Sequence, residues 1–169
     1  MCAERGVIMK ALKRIFYLLI GVGIFAGDLI IKEKVEKWPK EREEVAVHTM
    51  GDALQLVRFR NRKGSFNFGK NHEKVVYILA ICFTALVTLM WILSMGLVGH
   101  NMLKLGLTFL LGGAYSNTYD RVRRGYVVDY AKWNPKAGIF GRYIWNIADF
   151  FILIGSLLTF GGLLQLDNE

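Results

Sequence analysis

Residues 75–98 (VVYILAICFTALVTLMWILSMGLV) contain no charged side chain, and this run constrains the fold more than any other stretch. A helix of this length, rising about 1.5 Å per residue, spans the ~30 Å hydrocarbon core of a bilayer. In water the same segment would expose a large apolar surface. We therefore predict a transmembrane helix here, in an integral membrane protein.

Three further segments, residues 15–31, 102–119 and 143–166, have spanning length and apolar character. Together with residues 75–98 they predict a mainly α-helical protein with four transmembrane helices. Hydrophobic residues make up 53% of the 169 residues, which also favours the bilayer over water. We expect one membrane-embedded domain over residues 1–169.

Four spans put both termini on one side of the membrane and the two long connections, residues 32–74 and 120–142, on the other. The first connection begins with a charged amphipathic segment, KEKVEKWPKEREE, which we expect at the membrane interface. Two short runs of β character follow, at residues 45–48 and 54–61, and predict a small sheet.

The net charge is +8, and the basic residues flank long apolar runs. Anionic lipid headgroups are therefore the expected partner, and nucleic acid is not. Orientation stays open: the N-terminal tail carries four Lys or Arg and the two long connections carry 17, which places those connections in the cytoplasm. The basic tail before the first helix argues for the opposite orientation.

The cysteines do not suggest disulfide bonds, and the histidines do not suggest a metal site. Cys2 and Cys82 lie far apart, which argues against a disulfide framework, and the three histidines lack metal-ligand spacing. We expect no metal and no other cofactor. The basic N terminus before an apolar run resembles a signal peptide but lacks a small-residue cleavage site, so we predict an uncleaved first helix that starts at Met1 or Met9.

Polar side chains collect at one end of the predicted spans, on the side of the two long connections. They are Asp28 and Lys32 near the end of the first span, Asn61 in the first connection, Asn117, Asp120 and Arg121 at the end of the third span, Asp129 in the loop that follows, and Asn146 and Asp149 at the start of the fourth span. Residues so distant in sequence predict a polar site just beneath the lipid headgroups.

Structural explanations remain open for several of these residues. Asp28 and Lys32, at i and i+4, can form an interfacial salt bridge and nothing more. Asp120 can serve as an ion-pair partner of Arg121 or as a helix cap. The arginines at positions 123 and 124 are interpreted as ligands of lipid phosphates.

Asp149 differs, because an ionisable residue within a span is a functional hypothesis by default. Two carboxylates that reach one site cannot both ionise easily, so they hold a shared proton. One can then deprotonate a water while the other protonates the carbonyl oxygen or the leaving amine. That chemistry is peptide hydrolysis without a metal or a covalent intermediate.

The stretches GGAYSNTYDRVRRGYVVDY (residues 112–130) and WNIADFFI (145–152) resemble the lipoprotein signal peptidase family, also called signal peptidase II. That family shows a GGAxGNxxDRxxxGxVxDF block followed by FNxADxxI. Two earlier family blocks resemble DLIIKEKVE, from residue 28, and NRKGSFNFG, from residue 61. The four blocks follow the family's order and cover nearly the whole chain.

The resemblance implies an aspartyl protease with four membrane helices and a small extracytoplasmic sheet. Such an enzyme removes the signal peptide of a prolipoprotein just before a cysteine that carries diacylglycerol. Its partners are that substrate and membrane lipids, and we expect a monomer. The orientation of the family places both termini in the cytoplasm of a bacterium and the active site at the outer face of the cell (inner) membrane. This orientation is opposite to the one that the count of basic residues favours.

Block matching assigns the catalytic pair to Asp129 and Asp149. It assigns supporting or substrate-binding positions to Asn117, Asp120, Arg121, Asn146, Asn61, Asp28 and Lys32. The chain departs from the family pattern at three positions, where Leu29 replaces Gln, Ser116 replaces Gly and Trp145 replaces Phe. The block at Asn61 also carries one extra residue.

The alternative hypothesis is a non-enzymatic membrane carrier that uses Asp28, Asp149 and Arg121 as an ion or proton relay. A relay needs polar residues spread over the depth of the bilayer. At the opposite membrane side, Lys104 is the only charged residue near the end of the predicted third span, and the second span has no charge.

Overall fold

The computed structural model of the chain describes residues 2–38, 47–49, 54–62, 72–134 and 137–166. Its elements in order are α1 (Cys2–Glu36), β1 (Val47–Thr49), β2 (Leu54–Asn61), α2 (Glu73–Ser94), α3 (Asn101–Arg124), β3 (Val127–Trp133), α4 (Ile139–Arg142), β4 (Ile144–Trp145) and α5 (Ile147–Leu166). The four long helices α1, α2, α3 and α5 correspond to the four predicted apolar segments, but α2 ends at Ser94 and not at residue 98, and α5 begins at Ile147 and not at residue 143. Both α1 and α3 extend beyond the predicted segments. Helix α3 ends at Arg124 and is capped by Gly125, whose φ of 78° is left-handed.

Three of the described helices are long and apolar enough to cross a membrane, namely those at Arg5–Glu36, Glu73–Ser94 and Ile147–Leu166. Their outward faces expose large apolar side chains that a bilayer would cover, such as Leu19, Leu93 and Phe160. The prediction of spanning helices is thus confirmed for three segments. The third predicted span, α3, is less apolar because it carries several charged residues.

Helix α3 lies at the centre of the protein and packs against α1, α2 and α5. Small residues of α3 permit this packing. A Cβ added at Gly113 would lie 2.5 Å from the carbonyl oxygen of Ala148 in α5, and one added at Gly112 would lie 2.9 Å from the carbonyl oxygen of Gly21 in α1. The backbones of α3 and its neighbours are therefore in direct contact.

The four strands form one antiparallel sheet in the order β1-β2-β3-β4. Strands β1 and β2 confirm the predicted small sheet, although residues 45 and 46 lie outside the described part. Strands β3 and β4 were not predicted. The expectation that Asp129 lies in a loop is wrong, because Asp129 pairs with Phe59 of β2 as part of β3. The run VVDYAKW is rich in β-branched and aromatic residues, which is a strand signal.

The sheet packs on the end of α1 through a small apolar cluster. Val35 of α1 lies against Val128, Tyr130 and Ala131 of β3. Arg58 of β2 donates hydrogen bonds to the carbonyl oxygens of Glu36 (3.1 Å) and Trp38 (2.7 Å). The first is an acceptor that the end of α1 leaves open, and the second lies just beyond the helix. Residues 39–44 of the predicted interfacial segment, and residues 63–69 of the block that starts at Asn61, lie outside the described residues.

Candidate active site

Asp129 is buried, with 2% of its surface exposed, in the middle of β3. Its Oδ1 accepts a hydrogen bond from Nδ2 of Asn146 at 2.7 Å, and its Oδ2 accepts one from Nδ2 of Asn61 at 2.9 Å. Asn61 ends β2, the strand that pairs with β3. Strand pairing therefore places the Asn61 amide beside the Asp129 carboxyl.

Asp149 lies in the first turn of α5 and takes part in a reciprocal cap with Asn146. The backbone N–H of Asn146 donates to Asp149 Oδ2 at 3.1 Å, and the N–H of Asp149 donates to Asn146 Oδ1 at 3.0 Å. The other oxygen, Oδ1 of Asp149, accepts from Nδ2 of Asn117 at 2.9 Å. The spacing of Asn146 and Asp149 thus starts α5 and orients its carboxylate together.

Two amide side chains connect the carboxyl groups. Nδ2 of Asn146 reaches Asp129 and also lies 3.1 Å from Oδ1 of Asn117, whose own Nδ2 holds Asp149. Each oxygen of Asp129 and of Asp149 consequently has an N–H donor. Such a network fixes both side chains before any substrate arrives.

Beneath the amides lies a fully buried lysine. Nζ of Lys32 is 2.7 Å from Asp28 Oδ2 and 3.2 Å from Asp120 Oδ2, with all three side chains excluded from solvent. It also donates to Oδ1 of Asn117 at 2.8 Å and to Oγ of Ser116 at 3.1 Å. Asp28 and Lys32 therefore form far more than an interfacial i,i+4 pair, since their network reaches the amide that holds Asp149.

Asp120 joins α3 to the sheet. Its Oδ2 accepts from the backbone N–H of Val128 in β3 at 3.1 Å, and its Oδ1 lies 3.0 Å from Nη1 of Arg124. Arg124 also pairs with Glu33 of α1, so it binds within the protein, which the lipid-phosphate interpretation did not foresee. Arg121 donates to the carbonyl oxygen of Asn117 at 3.3 Å, and its half-buried charge acts on both Asp129 and Asp149.

Burial dominates the electrostatics of Asp129. Loss of hydration, followed by the charge of Asp149, raises the pKa of Asp129 from 3.8 to about 7, while the hydrogen bonds from Asn61 and Asn146 act in the opposite direction. At neutral pH the Asp129 carboxyl therefore holds a proton for part of the time. A carboxyl group in that state can serve as an acid.

A cavity of about 790 Å³ opens over these groups. Asn61, Arg121 and the two carboxyl groups form its polar end, and apolar side chains of α2 and α5 such as Phe83 and Leu153 form its walls. This shape suits a substrate whose reacting bond is polar and whose flanking parts are apolar. Within the described residues, no group of three or more His, Cys, Asp or Glu side chains is arranged to hold a metal ion.

All nine residues that the sequence singled out lie in one contiguous network. Sequence reasoning missed two members. In the sequence Ser116 stood out only as a replacement for glycine in the family block, yet its hydroxyl donates to Asp28 Oδ2 at 2.6 Å. Tyr130 follows Asp129 directly, and the alternation of a strand would have placed it on the opposite, buried face.

Comparisons with known proteins identify the family of this chain. The family model described as "Signal peptidase (SPase) II" matches residues 20–165. A lipoprotein signal peptidase of Caldicellulosiruptor bescii is 30% identical over 84% of this chain and 86% of its own, and that of Bartonella bacilliformis is 28% identical over 86% of each. A solved bacterial membrane enzyme superposes with a TM-score of 0.72 at 26% identity, covering 89% of this chain and 88% of the other.

Proposed function

The chain belongs to the signal peptidase II family of bacterial membrane proteases, which cleave lipoprotein signal peptides, and from this premise we propose an aspartic mechanism for it. Asp129 and Asp149 activate a water that attacks the peptide bond just before the diacylglyceryl-modified cysteine of a prolipoprotein. The observation that carries the proposal is the pair of buried carboxyl groups joined through Asn117 and Asn146 at the polar end of the cavity.

The two carboxyl groups divide the chemistry between them. The ionised member takes a proton from water as the water oxygen bonds to the scissile carbonyl carbon. The protonated member donates to the carbonyl oxygen and, as the C–N bond breaks, a proton passes to the leaving amine. A pKa of about 7 for Asp129 supports a shared proton near neutral pH.

The remaining site residues position the pair. Asn61, Asn117 and Asn146 orient the carboxyl oxygens through N–H donors. The ion network of Lys32, Asp28 and Asp120 supports Asn117 from below, and Arg121 supplies a positive charge beside both carboxyl groups. Arg121 can also stabilise the negative charge that develops on the carbonyl oxygen of the substrate.

The position of α3, buried among the three apolar helices, supports a protein with four transmembrane helices. Its charged residues at the site end pair with α1 and with each other, and it packs against the three apolar helices, so it crosses the membrane without exposing charge to lipid. Four spans put both termini on the same side of the membrane. By the orientation that the family resemblance implies, that side is the cytoplasm, and the sheet lies at the outer face of the inner membrane. The acyl chains and the signal peptide of the substrate then enter between α2 and α5, along the apolar walls of the cavity.

A carrier or relay has less support. The carboxyl of Asp28 is occupied by Lys32, Ser116 and Tyr130, all inside the protein. The polar network also lies at one end of the helices, whereas a transport path needs polar residues across the whole depth of the bilayer.

The decisive test is cleavage of a lipidated prolipoprotein by the purified protein in lipid vesicles. We expect cleavage by the wild type, loss of it in Asp129→Asn and Asp149→Asn, and normal cleavage in Glu73→Gln, which changes an exposed carboxyl at the start of α2. An unlipidated precursor should be a poor substrate because the acyl chains supply the membrane partitioning. Cleavage at the wild-type rate by either folded Asn variant would overturn the assignment.

A further inference from the structure

The hydroxyl of Tyr130 forms hydrogen bonds with both α1 and α5. It donates to Oδ1 of Asp28 at 2.8 Å and accepts the backbone N–H of Ile147 at 3.0 Å. The residue is 3% exposed and follows Asp129 in β3. Because side chains alternate along a strand, Asp129 faces the cavity while Tyr130 points into the protein.

Ile147 is the first residue of α5, and a helix leaves its first N–H groups without partners inside the helix. The side chain of Asn146 satisfies the N–H of Asp149, and the hydroxyl of Tyr130 satisfies the N–H of Ile147. The first turn of α5 is consequently attached to β3 two residues before Asp149. Asp129 directly precedes Tyr130 in sequence, and Asp149 lies two residues after Ile147, the hydrogen-bond partner of Tyr130.

We propose that Tyr130 is a positioning residue, whose hydroxyl sets the place of Asp149 relative to Asp129 and links both to the buried Asp28–Lys32 pair. This inference rests on the proposed function. The family block quoted above has phenylalanine at this place, so this chain keeps the aromatic ring of the block and adds a hydroxyl.

The direction of the two hydrogen bonds is fixed by the available protons. Asp28 is held by Lys32 as an acceptor, so the single hydroxyl proton of Tyr130 points to it and the oxygen is left to accept from Ile147. Burial, followed by the charge of Asp28, raises the pKa of Tyr130, so the hydroxyl keeps its proton over the working range of pH. Removal of the hydroxyl leaves a buried carboxylate oxygen and a helix N–H each short of one partner.

The test is Tyr130→Phe in the full-length protein, assayed on a lipidated prolipoprotein over a range of pH. We expect kcat to fall about tenfold with KM within about twofold of the wild type, since two hydrogen bonds that orient Asp149 are lost. The basic limb of the pH profile should also move to lower pH. A first turn that moves away from β3 weakens the repulsion by which Asp149 raises the pKa of Asp129.

Charges facing Asp129 include Asp149 from α5, Lys32 from α1 and Arg121 from α3, and Tyr130→Phe alters none of them chemically. The matched control is Tyr126→Phe, since the Tyr126 ring packs against the same apolar cluster and stacks on Arg60. We expect its kcat and pH profile to equal those of the wild type. A purely structural role for Tyr130 would reduce the folded fraction and leave the pH limb in place.

The outcomes separate the two proposals. If the wild type does not cleave the lipidated precursor, the proposed function fails. If the wild type cleaves and Tyr130→Phe matches it in kcat and in pH limb, the proposed function stands and the positioning role of Tyr130 is overturned. A fall in kcat with an unmoved limb would also overturn the positioning role.

Discussion

Asn146 and Asp149 cap one another at the start of α5, through N–H donors of 3.1 Å to Asp149 Oδ2 and 3.0 Å to Asn146 Oδ1. This exchange leaves Nδ2 of Asn146 free to reach Asp129 at 2.7 Å. One side chain therefore starts the helix with its oxygen and orients the opposite carboxyl with its nitrogen. The two tasks use different atoms, so they can be separated by substitution.

Asn146→Ser should separate them. Serine is an equally good helix cap, but it lacks the amide nitrogen that reaches Asp129 and Asn117. Hydrogen bonds to charged groups contribute about 1.5–3 kcal/mol, so we expect proteolytic activity to fall roughly 10- to 100-fold. The thermal unfolding midpoint in detergent should stay close to that of the wild type.

Asn146→Ala provides the comparison, since it removes cap and donor together. We expect it to match Asn146→Ser in activity and to lose about 1 kcal/mol more of stability. Full activity in Asn146→Ser would show that the Asn146 amide nitrogen has no part in orienting Asp129.

Activity should depend on the protonation of Asp129. Its pKa of about 7 predicts a decline in kcat as the pH rises through that value, because the pair then loses its shared proton. On the acidic side, activity should decline when the second carboxyl of the pair is protonated. A bell-shaped profile measured with a lipidated precursor would agree, and a rate that is constant from pH 6 to pH 9 would contradict the shared proton.

The same group links stability to pH. The folded state binds the Asp129 proton more tightly than the unfolded state, whose pKa is near 3.8, so the stability that this proton contributes is present below pH 4 and is lost as the pH rises to about 7. Asp129→Asn cannot titrate. Its unfolding midpoint relative to the wild type should therefore be higher at pH 8 than at pH 5, and an equal difference at both values would refute the raised pKa.

Sequence patterns predicted the parts of this protein that depend on local chemistry. The length of the charge-free run was enough to predict that α2 spans a membrane. Helical periodicity was enough to predict that Asn146 and Asp149, at i and i+3, lie on one face of α5. The residue types of β3 are a local strand signal that was overlooked, but its pairing partner β2 lies more than 60 positions earlier in the chain. Pairing over such a distance has no signature in a local window.

Contacts of the buried ions could not be predicted for the same reason. Asp28 and Lys32 are one helical turn apart, so a local pair was visible, but the second carboxylate of Lys32 belongs to Asp120 on another helix. The hydroxyl of Ser116 looked like a mere substitute for glycine. The hydrogen bond from this hydroxyl to Asp28 can be recognised only once α1 and α3 are known to be in contact.

Lys32→Met should destabilise the protein strongly. The substitution leaves Asp28 and Asp120, both at most 1% exposed, without their shared cation. Breaking a buried ion pair in this way costs about 3–5 kcal/mol, so we expect a much lower unfolding midpoint in detergent. The control is Lys34→Met, which changes an exposed lysine on the same helix and should stay within about 0.5 kcal/mol.

If Lys32→Met does not accumulate, the double variant Lys32→Met with Asp28→Asn keeps the prediction testable. Removing one of the two carboxylates should recover part of the lost stability, because fewer unpaired charges are then buried. Equal stability for Lys32→Met and Lys34→Met would show that the ion network contributes nothing to the fold.

Gly113→Ala should reduce activity because α3 and α5 leave no room for a methyl group at that position. The added Cβ would lie 2.5 Å from the carbonyl oxygen of Ala148, a backbone atom that can move only with the first turn of α5. Overpacking of this kind costs about 1–3 kcal/mol, and here it displaces the neighbouring Asp149. Gly23→Ala in α1, where no heavy atom lies within 4 Å of the new Cβ, should leave cleavage unchanged. If both variants cleave the lipidated precursor at the wild-type rate, the contact between α3 and α5 does not determine the position of Asp149.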